Sequence, residues 1–255
     1  MPTTVPIRRL FEVPIAAMTM AQTVARVQRA IEDRARLQIG VVNAAKIVNM
    51  QRDERLRDDV LASDLVLADG MSVVWASRVL GEPLPERVAG IDLMHAMLAR
   101  GNRQGWRVFC LGASEQVLVR AVAALRALYP NVRFVGAHHG YFARSEESAV
   151  AATIAASRAD ILFVAMTSPR KEEFLARWSP TMGVPVCHGV GGSFDVVAGE
   201  VRRAPAAWQR LGLEWLYRVK QEPRRLWKRY LVTNVLFLGA VARELVRRRL
   251  RLERA

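Results

Sequence analysis

Asp160-Ile161-Leu162-Phe163-Val164-Ala165-Met166 is the stretch that decides the fold. An apolar run this short, opened by an acid and closed by Thr167-Ser168-Pro169, suits a strand buried on both faces. Working outward, Gln38–Val42 ends at Asn43, and Leu65–Ala68 is stopped by Asp69-Gly70. Trp106–Leu111 runs into Gly112-Ala113-Ser114, Val132–Val135 ends at Gly136, and Val184–Cys187 leads into His188-Gly189-Val190-Gly191-Gly192. Helical patterns of roughly 10–18 residues separate these runs. The first helix follows a T-x-x-Q capping box, Thr19 to Gln22, with Val24, Val27 and Ile31 on one face. Apolar strands alternating with helices predict an α/β fold, a Rossmann-like, mostly parallel sheet with helices on both faces.

The 255 residues are 51% hydrophobic and 24% charged, enough for a large core and incompatible with disorder. The net charge of +14 is unevenly placed. Residues 200–255 hold 15 Lys or Arg against 5 Asp or Glu, while the first 199 hold 23 against 19. This divides the chain into an α/β body, 1–204, and a basic helical C-terminal appendage, 205–255, that wants an anionic partner. In the appendage Trp208, Leu211, Trp215 and Val219 share a helical face until Pro223, and Trp227, Leu231, Val235, Leu238, Ala242 and Leu245 form a second. Tyr230–Ala242 is an uncharged run of 13 residues. That is too short to span about 30 Å of hydrocarbon, but its arginine flank from Arg243 to Arg251 suits a helix lying in the interface. Arginines interleaved with Trp215, Tyr217, Trp227 and Tyr230 also suit single-stranded nucleic acid. The alternative reading is therefore a basic nucleic-acid-binding protein with the body as scaffold; the apolar run favours the membrane. Cys110 and Cys187 lie in apolar strands, read as inert core thiols in a reducing cytoplasm. Glu12 and Pro14 interrupt any apolar run after Arg8-Arg9, so no signal peptide is expected.

In open α/β sheets ligands gather outside the carboxyl ends of the strands. The residues placed there are Asn43, Asp69, Gly112-Ala113-Ser114, Gly136, Thr167-Ser168 and the Gly189–Gly192 loop. No GxxxxGK[ST] loop occurs, and Gly189-Val190-Gly191 lacks the third glycine of a dinucleotide fingerprint. Asp69, between an apolar strand and Gly70, reads either as a general base or as the cap of a helix starting near Met71. Arg87 either grips a phosphate or pairs with Asp92. Phe194-Asp195 either meets a ribose hydroxyl or closes its loop, and Lys171-Glu172 on its own reads as a solvated first helical turn. There is no D-x-D, and His95, His138, His139 and His188 lack metal-ligand spacing, so no metal is expected.

Eight segments then occur in order: D-G-M at Asp69, E-R-V-A-G-I-D at Glu86, G-A-H-H-G-Y-F at Gly136, S-P-R-K-E at Ser168, G-V-G-G-S-F-D at Gly189, R-A-P at Arg203, G-L-E-W-L-Y-R at Gly212 and E-P-R-R-L-W-K-R-Y at Glu222. Together, over roughly residues 38–232, they resemble the WecG/TagA/CpsF family of bacterial glycosyltransferases, most of all its exopolysaccharide-pathway members. The resemblance implies inverting, metal-independent transfer without a cofactor. The donor would be a UDP-sugar of the glucose, N-acetylmannosamine or uronate type, and the acceptor a polyprenyl-pyrophosphate-linked saccharide. It implies Asp69 as the general base. It implies substrate contacts at Asn43, Gly70, Arg87, Gly90, Asp92, Gly112, Gly136, Tyr141, Lys171, Glu172, Gly189, Gly191, Phe194, Asp195 and Arg203. The appendage would add Arg218, Arg225 and Arg229 (or Lys228) and dock on the inner face of the cytoplasmic membrane. No nucleic-acid partner is implied, and a homo-oligomer is compatible with it. Two positions depart from the family pattern: Val41 replaces a threonine, and Lys171 replaces a glutamine, adding a cation near the expected donor site.

Overall fold

A computed structural model describes residues 5–252, apart from the side chains at 206, 210, 225, 229, 251 and 252. The chain opens with an antiparallel hairpin, β1 (Ile7–Leu10) and β2 (Val13–Ala16). Phe11 and Glu12 at its turn have φ of 54° and 64°, the doubly positive backbone of a type I′ turn. Neither is the Asn or Gly that signals such a turn, and the sequence reading contains no hairpin here. Fifteen elements follow: α1 (Met20–Glu32), β3 (Leu37–Val42), α2 (Ala44–Met50), α3 (Glu54–Leu61), β4 (Leu65–Ala68), α4 (Met71–Val79), α5 (Gly90–Gln104), β5 (Arg107–Gly112), α6 (Glu115–Leu128), β6 (Arg133–His138), α7 (Glu147–Ala156), β7 (Ile161–Ala165), α8 (Arg170–Met182), β8 (Val186–Gly189) and α9 (Ser193–Val197).

The six strands β3 to β8 form one parallel sheet in the order β4-β3-β8-β7-β5-β6, the α/β architecture expected. Strand pleating divides the core. Val108, Cys110, Ile161 and Phe163 join α1, α5 and α6 on one face, while Phe109, Leu111, Leu162 and Val164 join α7 and α8 on the other. Both faces being covered is what permits continuous apolar strands. A third cluster seats the hairpin, α2, α3 and α4 around Val42, Val66 and Ala68.

The segment read as an appendage folds as α10 (Ala206–Arg210), α11 (Glu214–Gln221) and α12 (Pro223–Leu252). Pro223 breaks α11 from α12 by opening α12, where its missing N–H leaves no bond unmade. α12 packs on α2. Phe237 and Ala240 are buried, and Leu236, Val241 and Leu245 lie against the same cluster as Ile47 and Val48. Phe237 meets the hairpin's Phe11 with ring centroids 5.4 Å apart. Arg248 donates to Leu80 O at 2.9 Å and Arg9 O at 2.6 Å. The expected single apolar face is corrected: Leu245 turns to the body, and a second stripe through Phe237 exists. Trp227, Leu231, Val235 and Leu238 do stay exposed on the opposite side, Leu238 by 67%. No described helix is long and apolar enough to cross a membrane.

Candidate active site

Asp69 follows β4 directly, its N–H bonded to Val42 O at 2.9 Å. Segment 84–90 crosses the same mouth, with Val88 N–H bonded to Ala68 O at 2.9 Å. This brings the Gly90 N–H to Asp69 Oδ1 at 2.9 Å. The carboxylate therefore holds the start of α5, and the expected cap near Met71 is not formed: α4 begins behind Gly70 with no side-chain cap. Gly90 is also fixed from beneath. Its carbonyl faces His188 Nε2 at 3.2 Å, and His188 Nδ1 faces Ile39 O at 3.3 Å. Burial pushes the His188 imidazole pKa down, so a neutral ring donates to one of these carbonyls. Asp69 is half-exposed, and its Oδ2 takes no hydrogen bond among the described residues. Asn43 lies alongside: a Cβ on Gly70 would meet its Cβ at 3.3 Å. Its Oδ1 accepts the Lys46 N–H at 3.0 Å and caps α2.

The chain leaves β5 toward the β6 edge and leaves neighbouring β7 toward β8, so a topological switch point opens between β5 and β7. Its lips are bare backbone. Gly112, at φ 128°, lies so close to β7 that a Cβ would meet Ala165 C and O at 2.4 Å. Gly140 N–H donates to Ala113 O at 2.8 Å, and its own Cβ would come within 3.0 Å of Gly112 Cα. The 14-residue helix α6 starts at this mouth, capped by Ser114. Gly112→Ala is expected to cost about 2–3 kcal/mol, because the Cβ collides with backbone that cannot rotate away; a urea melt checks this.

Two ionic clusters flank the mouths. Lys46 and Lys171 both donate to Glu172 Oε1, at 2.7 and 2.6 Å, and all three side chains are at most one-tenth exposed. Glu172 Oε2 is buried and has no hydrogen bond among the described residues. Burial favours a neutral Glu172, but the two ammoniums outweigh it and hold its carboxyl pKa at about 2. Burial and Lys46 push Lys171 down to about 8. The solvated first turn read for Lys171-Glu172 is thus corrected: α8 is turned inward, and Lys171 lies along Gly189, where a Cβ would meet its Cε at 3.0 Å. In the second cluster Asp92 accepts from Arg87 at 3.3 Å and from Arg203 at 2.7 and 2.8 Å. Glu214 of α11 joins through Arg87 at 3.1 Å. Burial works against the Arg203 charge, but Asp92 and Glu214 raise its pKa above the usual value.

The structure thus brings Asn43, Asp69, Gly70 and Gly90 together, pairs Arg87 and Arg203 with Asp92 in the first turn of α5, and places Gly112 at the switch point. Gly136 lies elsewhere. β6 runs on to His138, and Gly136 is mid-strand, where a Cβ would strike the Phe109 ring at 2.3 Å; Gly140 is the glycine at the mouth. Phe194 is a fully buried core residue, carried by α9 into the cluster on one sheet face. Asp195 is half-buried beside Gly192, and Gly191 has φ 54° with open space around it. Helix α9 behind that loop has only five residues. Tyr141 is 77% exposed at the lip of a groove of about 400 Å3 with His138, His139 and Glu146. Arg218 is exposed on α11; the side chains of Arg225 and Arg229 lie outside the described residues. Lys46, Gly140, His188 and Glu214 are site neighbours that the sequence reading did not select. Their partners are distant in sequence, 126 residues for Lys46–Glu172 and 127 for Arg87–Glu214, so no local pattern could mark them. Among the described residues no group of three or more His, Cys, Asp or Glu is placed to hold a metal ion. The family model of the glycosyl transferase WecG/TagA/CpsF family matches residues 8–251.

Proposed function

Because this chain belongs to the WecG/TagA/CpsF family and is a glycosyltransferase, we propose that it transfers a sugar from a UDP-sugar to a polyprenyl-pyrophosphate-linked saccharide, inverting the anomeric carbon. The product serves an exopolysaccharide or another cell-surface glycan. The observation that carries this reading is Asp69 Oδ2, part-exposed at the mouth of β4 and without a hydrogen bond among the described residues, while Oδ1 is anchored to Gly90. An anchored carboxylate with one open oxygen is the arrangement of a general base. In the proposed step Oδ2 takes the acceptor hydroxyl's proton, the hydroxyl oxygen forms the new bond to the anomeric carbon, and the bond to UDP breaks on the opposite face. UDP departs with the electron pair, stabilised by cations and amides at the mouth. The amides opening α6 behind Gly112 suit its phosphates. The five-residue α9 is too short to add much.

The test is a panel of UDP-sugars assayed with polyprenyl-pyrophosphate mono- and oligosaccharides. One donor should yield both UDP and an extended lipid-linked glycan. Failure to bind UDP, together with tight salt-sensitive RNA binding, would instead support the nucleic-acid reading.

We place the enzyme on the inner face of the cytoplasmic membrane, supported by the exposed stripe Trp227, Leu231, Val235 and Leu238 amid the basic appendage. Each basic residue near an anionic bilayer adds on the order of 1 kcal/mol. Replacing Leu231 and Leu238 together by Asp is expected to weaken binding to anionic vesicles at least about tenfold. Thermal stability should hold, since both positions are exposed. Unchanged co-sedimentation would reject the stripe as the docking face.

A further inference from the structure

Glu214 belongs to the appendage, yet its carboxylate lies against two arginines of the body, and its fit there is incomplete. Oε2 accepts one hydrogen bond from Arg87 at 3.1 Å, while Oε1 stops 3.8 Å from Arg203 Nε. Arg203 commits both terminal nitrogens to Asp92, at 2.7 and 2.8 Å. Its Nε is buried and donates to nothing among the described residues. A buried donor left unmade is costly, and a charged one more so. A larger anion would reach both arginines: a phosphate group offers three oxygens spread wider than a carboxylate's two, and guanidinium forks suit it. The location fits as well. Asp92 and Gly90 share the first turn of α5, and Gly90 carries the amide that anchors Asp69. Arg87 is only 14% exposed, whereas Asp92 is 34% exposed, so the cluster opens to solvent on its Asp92 side.

We infer that Glu214 is an internal stand-in for a pyrophosphate oxyanion, holding Arg87 until a substrate's pyrophosphate displaces it and reaches Arg203 Nε as well. This rests on the proposed function in one respect, that both substrates carry a pyrophosphate. Substrate and Glu214 then compete for the same N–H groups, and displacement loosens α11 from the body. Apparent affinity falls by the fraction of time the resident carboxylate is in place.

The experiment titrates inorganic pyrophosphate, UDP and a short-chain prenyl pyrophosphate against the full-length protein and its Glu214→Gln variant. Removing the competing charge should tighten binding about tenfold if Glu214 occupies the site nine-tenths of the time. Tightening confined to UDP assigns the site to the donor, and tightening confined to the prenyl pyrophosphate assigns it to the acceptor. Unchanged or weaker binding of all three overturns the inference and makes Glu214 a structural tie. Hydrogen exchange on the unaltered protein decides independently of the variant's folding. Saturating pyrophosphate should speed exchange of the α11 amides, and slower or unchanged exchange overturns the inference. A protein that shows this competition yet transfers no sugar refutes the proposed function alone.

Discussion

Asp69→Asn is expected to lower turnover by about 10²–10⁴ while the protein stays folded and still binds UDP. The substitution is close to isosteric. An asparagine Oδ1 can still accept the Gly90 N–H that Asp69 takes at 2.9 Å, so the start of α5 and the His188 contact beneath it should persist. The backbone bond to Val42 does not involve the side chain at all. What is lost is the second oxygen as a proton acceptor, because the amide nitrogen that replaces it is a donor. The effect should therefore fall on kcat, with KM for the donor little changed, the signature of an interaction made only in the transition state. A variant with near-normal kcat would remove Asp69 from the role of base. A variant with a collapsed melting temperature would instead show that its anchoring of Gly90 dominates. Asp69→Glu separates the two: it restores a carboxylate but misplaces it, and should recover little turnover.

The parts of this fold legible in the sequence are those where local pattern and tertiary environment agree. Parallel strands buried on both faces need unbroken apolar runs, so 160–166 and its counterparts stood out, and their ends marked the mouths where Asn43, Asp69 and Gly112 lie. The hairpin was illegible because its turn uses Phe11 and Glu12, and Phe11 has its positive φ within reach of Phe237. That contact joins residues more than two hundred positions apart. Similarly, α12 carries two apolar stripes, and hydropathy alone cannot tell that Phe237 meets α2 while Leu238 meets solvent. Arg248 looked like one more membrane-facing cation, but it donates to two body carbonyls. Phe194, expected either to meet a ribose hydroxyl or to close its loop, is fully buried in the core beside the sheet. In each case the missing information is which distant surface an element meets, and periodicity does not encode that.

The second large effect is on stability. Glu172→Gln is expected to destabilise the protein by about 3–5 kcal/mol, since it leaves two buried ammoniums without their shared anion. For a chain of this size that corresponds to a melting temperature about 6–20 °C lower. The carboxylate, not its hydrogen bonds alone, matters: a glutamine Oε1 could still accept from one lysine, but Lys46 and Lys171 would then face each other uncompensated. The pH dependence carries the same sign. Glu172 titrates near 4.5 when unfolded and about 2 when folded, so its contribution is fully present above pH 4.5 and is lost as pH falls toward 2. Lys171 acts in the other window. With a folded pKa of about 8 against 10.5 unfolded, it gives up its proton more readily when folded, and stability from this group rises between those values. Asp59, whose carboxyl pKa is raised by burial and by Glu173 and Glu172, should move back toward its ordinary value in the variant. Adding Lys171→Met removes one of the stranded charges and should recover part of the loss, a coupling readable from the double-mutant cycle. Chemical denaturation from about pH 2 to about pH 11 spans both windows and measures all of this. A Glu172→Gln protein within about 1 kcal/mol of the parent would mean that the lysines find water or deprotonate at little cost, and the cluster would then be free to serve substrate instead of the fold.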